Sequence, residues 1–269
     1  MGKVWIIASG KGGVGKSTVT AATASALAGM QLKVCIVDAD VGLRDQDAIL
    51  GLENRVVYDL IDVCRRDCEL TDALMAHPDH PQLHLLPAAQ FARAKDLDPR
   101  AFRKVIATLK AQFDHVLIDC PAGIGRGLRG LMSAACDETV IVCTPDDVCI
   151  RNAERAATLF RDSLLPSPWL IVNRLDAQLI RAGEMYAASV VAETLDLPLL
   201  GEVPEDPTVY RALIRHMPLI RCDCEAQRAL SRIAQRMADR SVPLPGYGTA
   251  RQTLFQRLFS RKLKEVKTL

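Results

Sequence analysis

Gly10-Lys11-Gly12-Gly13-Val14-Gly15-Lys16-Ser17 is the stretch whose reading decides the fold. Just before it runs Val4-Trp5-Ile6-Ile7-Ala8-Ser9, an apolar, β-prone segment of strand length. Just after it, Thr18 to Ala28 is rich in Ala, Thr and Leu and reads as a helix. Strand, glycine loop, helix is the context in which G-x-x-x-x-G-K-[ST] spells a phosphate-binding loop. Glycines let backbone N–H groups turn inward around phosphate oxygens, and the helix N-terminus adds a positive dipole end. Gly10 through Thr18 are therefore expected to cradle a nucleotide. Lys16 is expected to reach its β- and γ-phosphates, and the Ser17 hydroxyl to ligate Mg²⁺. Lys11 is a second lysine inside the loop. It is either a solvated loop residue or a cation aimed at phosphate charge, in its own site or across a dimer.

Moving outward, Lys33 to Asp38 reads as a buried strand that ends in Asp38-Ala39-Asp40. Carboxylates at the C-terminal end of a strand stand where open α/β sheets bind ligands. Asp38 is placed to support the Mg²⁺ shell and Asp40 to orient an attacking water. The alternative at both is a solvated or helix-capping aspartate. His115-Val116-Leu117-Ile118-Asp119 repeats the design, an apolar run delivering a carboxylate to the sheet edge near Mg²⁺, as in a Walker B strand. The glycine-containing loop Asp119 to Gly125 follows and suits a sensor of the γ-phosphate. Further strands are expected at 83–86, 138–143, 170–173 and 198–203. Helices are expected at 54–63, 69–76, 99–112, 147–164, 184–195, 208–214 and 225–240. Asn173 ends one of these strands, either to read a base edge or simply as a terminator.

Composition agrees with one α/β domain: a mostly parallel sheet flanked by helices. The 269 residues are 49% hydrophobic and only 4% aromatic, which suits aliphatic strands buried on both faces. Nine cysteines occur with no C-x-x-C, the pattern of reduced thiols serving as small hydrophobes. Cys64/Cys68, Cys222/Cys224 and His77/His80 are at most half-sites for a metal. Met1 leads straight into the first strand, so no signal peptide is expected, and no run reaches the ~18 apolar residues of a membrane span. A cytoplasmic protein is the expectation.

Charge is unevenly placed. From Thr249 to Leu269 six bases face one acid, a net +5 in a chain whose total is +2, leaving about −3 on the rest. On a helix, Leu254, Phe255, Leu258, Phe259, Leu263 and Val266 fall on one arc. Arg257, Arg261, Lys264 and Lys267 fall opposite, and Lys262 enters the apolar arc, where it can snorkel. Such a helix is expected to lie in the interface of an anionic bilayer, weakly as one copy and strongly as two. Three segments result: an ATPase domain over 1–240, a Pro/Gly linker over 241–249 and an amphipathic helix over 250–269. Nucleic acid is not an expected partner.

The motifs Lys11-Gly12-Gly13-Val14-Gly15-Lys16-Ser17, Asp38-Ala39-Asp40-Val41-Gly42-Leu43-Arg44, Asp119-Cys120-Pro121-Ala122-Gly123-Ile124, Val172-Asn173-Arg174 and Val203-Pro204-Glu205-Asp206 resemble the deviant Walker A family of P-loop ATPases, and with the tail they are most similar to its Min-type, septum-determining branch. The resemblance implies an ATP-dependent homodimer on the inner membrane that recruits the division inhibitor MinC and is released by MinE-stimulated hydrolysis. It implies that Lys11 reaches the partner subunit's nucleotide, that Lys11, Lys16 and Asp40 are catalytic, and that Asn173, Arg174, Pro204 and Asp206 contact adenine. Two positions depart from the pattern: Arg151-Asn152 stands where Arg-Asp is expected, and Gly125-Arg126 where acid or polar residues are. The rival branches are flagellar-number and chromosome-partition ATPases.

Overall fold

The computed structural model describes residues 2–123, 136–215, 217–244 and 246–247. The amphipathic helix expected over 250–269 and the second departure, Gly125-Arg126, lie outside these residues. Eight strands form one sheet: β1 (Lys3–Ala8), β2 (Val34–Asp38), β3 (Met75–His77), β4 (His80–Leu86), β5 (His115–Asp119), β6 (Glu138–Cys143), β7 (Trp169–Leu175) and β8 (Leu199–Pro204). Their order is β3-β4-β2-β5-β1-β6-β7-β8, parallel throughout except for the β3/β4 edge. β1 lies at the centre, paired with β5 and β6. It is fully buried from Val4 to Ala8, as a strand covered by helices on both faces must be.

Among the described residues the α-helices are α1 (Lys16–Gly29), α2 (Gln46–Leu50), α3 (Leu60–Arg65), α4 (Leu70–Ala73), α5 (Pro99–Gln112), α6 (Asp147–Asp162), α7 (Ala177–Ala182), α8 (Ala188–Leu195), α9 (Pro207–Ile214) and α10 (Glu225–Ala238). α5 shows how sequence makes such an element. Asp98 accepts the N–H groups of Arg100 and Ala101, Pro99 holds the first turn, and Phe102, Val105, Ile106 and Leu109 form the buried stripe.

Three expectations needed correction. The helix expected over 54–63 begins only at Leu60, because Asp59 and Asp62 form a reciprocal capping box there and leave Val57 and Tyr58 in an exposed bend before it. The helix expected over 69–76 stops at Ala73. Met75–His77 instead pairs antiparallel with β4 across a tight turn containing Pro78, which satisfies backbone groups at the sheet edge. The helix expected from Glu184 starts at Ala188. The short helices α2 and α7 were not separable from loop by periodicity.

Candidate active site

α1 starts without a side-chain cap. Gly15 precedes it at φ 89° and ψ 19°, and no acidic residue occupies the first turn. The orphan N–H groups of that end are left for an anion, which is the physical meaning of the loop. Two glycines are required by neighbours. A Cβ at Gly15 would meet Asn173 Nδ2 at 2.4 Å, and one at Gly10 would meet the backbone carbonyl of Asn152 at 2.3 Å. α6 therefore leans on the loop through Asn152, the position that departs from the family pattern.

Lys16 is buried, and its Nζ donates to Asp119 Oδ1 at 2.6 Å and lies 3.3 Å from Ser17 Oγ. Burial opposes its charge, but the Asp119 carboxylate more than compensates and the ammonium is held above its ordinary pKa. Asp119, the last residue of β5, also accepts Thr20 Oγ1 at 3.3 Å and Gln46 Nε2 at 2.7 Å. Asp38, the last residue of β2, accepts the backbone N–H groups of Asp40 and Gln46. Burial and the neighbouring Asp119 charge push its carboxyl up to about 7. Asp40 is raised by burial against the opposing charge of Lys16, and receives the Ala122 N–H. Lys11 is exposed. The loop carbonyl at Lys11 accepts Ser9 Oγ at 3.0 Å.

Three aspartates thus converge on one buried lysine at the C-terminal ends of β1, β2 and β5, which is an excess of negative charge. The fully buried Gln46 adds an amide oxygen, Oε1, with no partner among the described residues. Hard oxygen donors with surplus anionic charge suit a small divalent cation. Ser17, Asp38 and Asp119 are the side chains that would hold it, directly or through water.

The second cluster also assembles. Gly15, Thr18, Asn173, Arg174, Pro204 and Asp206 line one pocket beside the loop. Asn173 Nδ2 donates to the Val14 carbonyl at 2.8 Å, so this side chain braces the loop and presents the rest of its amide to the pocket. Arg174 is half exposed at φ 61°, with Nε 3.7 Å from Glu205. Asp206 caps α9 through the Thr208 N–H. Although partial burial opposes it, that N–H and the one from Ala226 hold the Asp206 carboxyl below its ordinary range.

Two residues of these clusters were missed in the sequence. Tyr210, exposed on α9, joins the lining of the pocket. Gln46 carries no motif, and its only signal was position, eight residues beyond Asp38 in the loop that returns over the strand ends. The half-sites for a metal gather no further ligands: among the described residues no cluster of three or more His, Cys, Asp or Glu could hold an ion. No helix among them is long and apolar enough to cross a membrane.

Residues 5–219 match the model of the CobQ/CobB/MinD/ParA nucleotide binding domain. The septum site-determining protein MinD of Helicobacter pylori is 40% identical over 249 residues, covering 90% of this chain and 92% of that protein. In the MinC:MinD cell division protein complex of Aquifex aeolicus, one chain superposes with a TM-score of 0.84 at 34% identity, covering 92% of this chain and all of that one. MinD of Pyrococcus horikoshii complexed with Mg-ADP gives 0.79 at 29% identity over 90% and 98% of the two chains.

Proposed function

The chain belongs to the CobQ/CobB/MinD/ParA nucleotide-binding family, and from that premise we propose that it is an ATP-driven membrane switch for placing the division septum. The observation that carries the ATPase reading is the convergence of Lys16, Asp119, Asp38 and Asp40 on the uncapped start of α1. A γ-phosphate entering the loop gives Lys16 a stronger partner than Asp119 and frees that carboxylate for the cation side of the site. Mg²⁺, when bound, supplies charge neutralisation for the β- and γ-phosphates. Asp40 is buried within reach of the Lys16 charge and is assigned to orient the attacking water. Lys11, exposed at the loop rim, is assigned to the nucleotide of a second copy. Hydrolysis is then slow in the monomer, which lacks that second cation. Adenine is assigned to the pocket of Asn173, Arg174, Pro204 and Asp206.

The division into an ATPase domain (1–240), a linker (241–249) and a basic amphipathic foot (250–269) converts dimerisation into membrane attachment. Each cation near an anionic surface contributes about 1 kcal/mol, so one foot is marginal and two act together. The site of action is the cytoplasmic face of the inner membrane. MinC is the proposed partner of the ATP-bound dimer, by analogy with the Aquifex complex, and MinE the proposed trigger of hydrolysis and release. The concentration of bases on the tail favours this reading over a DNA-binding partition ATPase.

Co-sedimentation with anionic vesicles tests the proposal, using ATP, ADP and a chain lacking residues 250–269. Binding that needs both ATP and the tail is expected. Binding in neither nucleotide state removes the membrane foot, and DNA binding by the ATP form then supports the partition branch.

A further inference from the structure

Gln46 is the first residue of α2 and is fully buried. Its Nε2 donates twice, to Asp119 Oδ2 at 2.7 Å and to the Ser17 carbonyl at 3.1 Å. Its backbone N–H donates to Asp38 Oδ2 at 3.1 Å. One residue therefore touches the ends of β2 and β5 and the first turn of α1. The amide orientation is fixed by chemistry: a flip would set its oxygen against a carboxylate oxygen and a carbonyl oxygen, neither of which can donate. Oε1 consequently faces away from both, buried and without a donor among the described residues. A buried acceptor left unpaired is costly, and native structures keep one where a ligand or a water completes it.

Other groups at the site do not use this acceptor. Lys16 gives its short contact to Asp119, and Thr20 donates to Asp119 and to the Lys16 carbonyl. The donor that is missing is one that arrives with the ligand. A hydrated divalent cation brings several polarised O–H donors and keeps most of them when it binds.

We propose that Gln46 is a positioning residue of the cation site: its Nε2 holds Asp119 and the start of α1 in register with the Asp38–Asp47 segment, and its unpartnered Oε1 accepts from a water on the bound divalent cation. This rests on the nucleotide-binding reading above and deepens it. Asp119 loses its Lys16 contact when a phosphate takes the lysine, and Gln46 then keeps the carboxylate aimed. The same residue ties the loop carrying Asp40 to the presence of the cation, so nucleotide without metal leaves that loop less firmly held.

The experiment uses the full chain and a fluorescent ATP analogue, first in EDTA and then titrated with Mg²⁺. The variants are Gln46→Met, which keeps the volume and removes both polar ends, and Gln46→Glu, which keeps an acceptor. For Gln46→Met the metal-free affinity stays within about twofold of the parent, while the Mg²⁺ half-saturation rises roughly 10-fold, the lower end of what loss of an outer-sphere partner does. Gln46→Glu keeps an acceptor for that water but turns its other oxygen against Asp119 and the Ser17 carbonyl, so its Mg²⁺ half-saturation also rises. Unfolding midpoints confirm that both variants are folded. Equal half-saturation in the parent and both variants overturns the inference, and so does a fall in metal-free and metal-dependent binding by the same factor. A parent chain that binds no nucleotide in either condition overturns the ATPase reading itself, a distinguishable result.

Discussion

Two polar clusters sit at opposite ends of the same sheet, and they are built on different plans. At the N-terminal ends of the strands, Arg240 lies between two indoles, 4.9 Å from the Trp5 ring centroid and 4.6 Å from that of Trp169. Glu138 accepts from both Arg240 and Trp169 Nε1, and Trp5 Nε1 donates to His115 Nδ1 at 3.0 Å. Glu138 opposes the Arg240 charge there and both faces of the guanidinium are covered, although Arg240 Nε has no partner among the described residues. At the C-terminal ends, three carboxylates share one lysine, Asp38 is driven up toward neutrality, and Gln46 Oε1 has no donor among the described residues. The first cluster closes the base of the domain with one cation facing one carboxylate. The second leaves three carboxylates around one lysine, and the phosphate and cation proposed above would complete it. The C-terminal cluster is the more deeply buried, since Asp38, Asp119 and Gln46 are fully covered while Arg240 and Glu138 are partly exposed, and its excess of carboxylates is what sets it apart.

Four measurements would sharpen or break this contrast. The largest effect is expected from Lys16→Ala, which removes the buried cation of the phosphate loop. Affinity for an ATP analogue should fall by about 100-fold or more, with hydrolysis lost. Retained binding would mean that the loop N–H groups suffice and that the lysine serves Asp119 alone. Next, Arg240→Ala should lower unfolding free energy by about 3 kcal/mol through loss of two stacked faces and an ion pair. Its ATP affinity should stay within threefold of the parent in the same binding assay. A larger change there would show that the two ends are coupled.

The third measurement is pH dependence at the base. Burial, helped by the positive charges of Lys3 and Arg240 and opposed by Asp114, lowers His115 from 6.5 to about 4. The unfolded chain takes up a proton below 6.5 that the folded imidazole refuses. Stability therefore is fully present above 6.5 and falls with pH, by about 2 kcal/mol at pH 5. Denaturant midpoints of the parent and of His115→Asn, which keeps an acceptor for Trp5, should differ in this slope between pH 5 and 7. Identical slopes would place the acid sensitivity elsewhere. The smallest effect is expected from Arg174→Ala. Its ion pair with Glu205 is long and more than half exposed, so stability should move by less than about 0.5 kcal/mol, and ATP affinity by about threefold. A tenfold loss would promote it to a principal nucleotide contact.

Much of this was legible in the chain. The strands carrying Asp38 and Asp119 were readable because a strand buried on both faces is a continuous apolar run, and its final polar residue marks the sheet edge. The loop from Gly10 to Ser17 was readable because glycine spacing, lysine and hydroxyl are all local. The pocket beside the loop was nearly complete, since Asp206 follows β8, but Asn173, expected at a strand end, lies inside β7, which runs on to Leu175. Gln46 and Tyr210 were not legible: one sits at the start of a five-residue helix and the other on an exposed face of α9, positions that carry no periodic signal. The β3 edge was misread as helix because three residues are too few to show a period, and only their pairing with β4 decides them.

The sequence by itself determined the class of fold, the phosphate loop, the identity of the acidic strand ends and the separate basic tail, since each rests on local backbone preference or on the alternation of apolar and polar residues. The tertiary structure alone decided that Lys16 meets Asp119, that Gln46 bridges Asp119 and Ser17, and that Arg240 enters the space between Trp5 and Trp169. These are contacts between residues 29 to 235 positions apart. Their formation depends on which strands become neighbours, and that is set by the burial of the whole sheet rather than by any stretch within it.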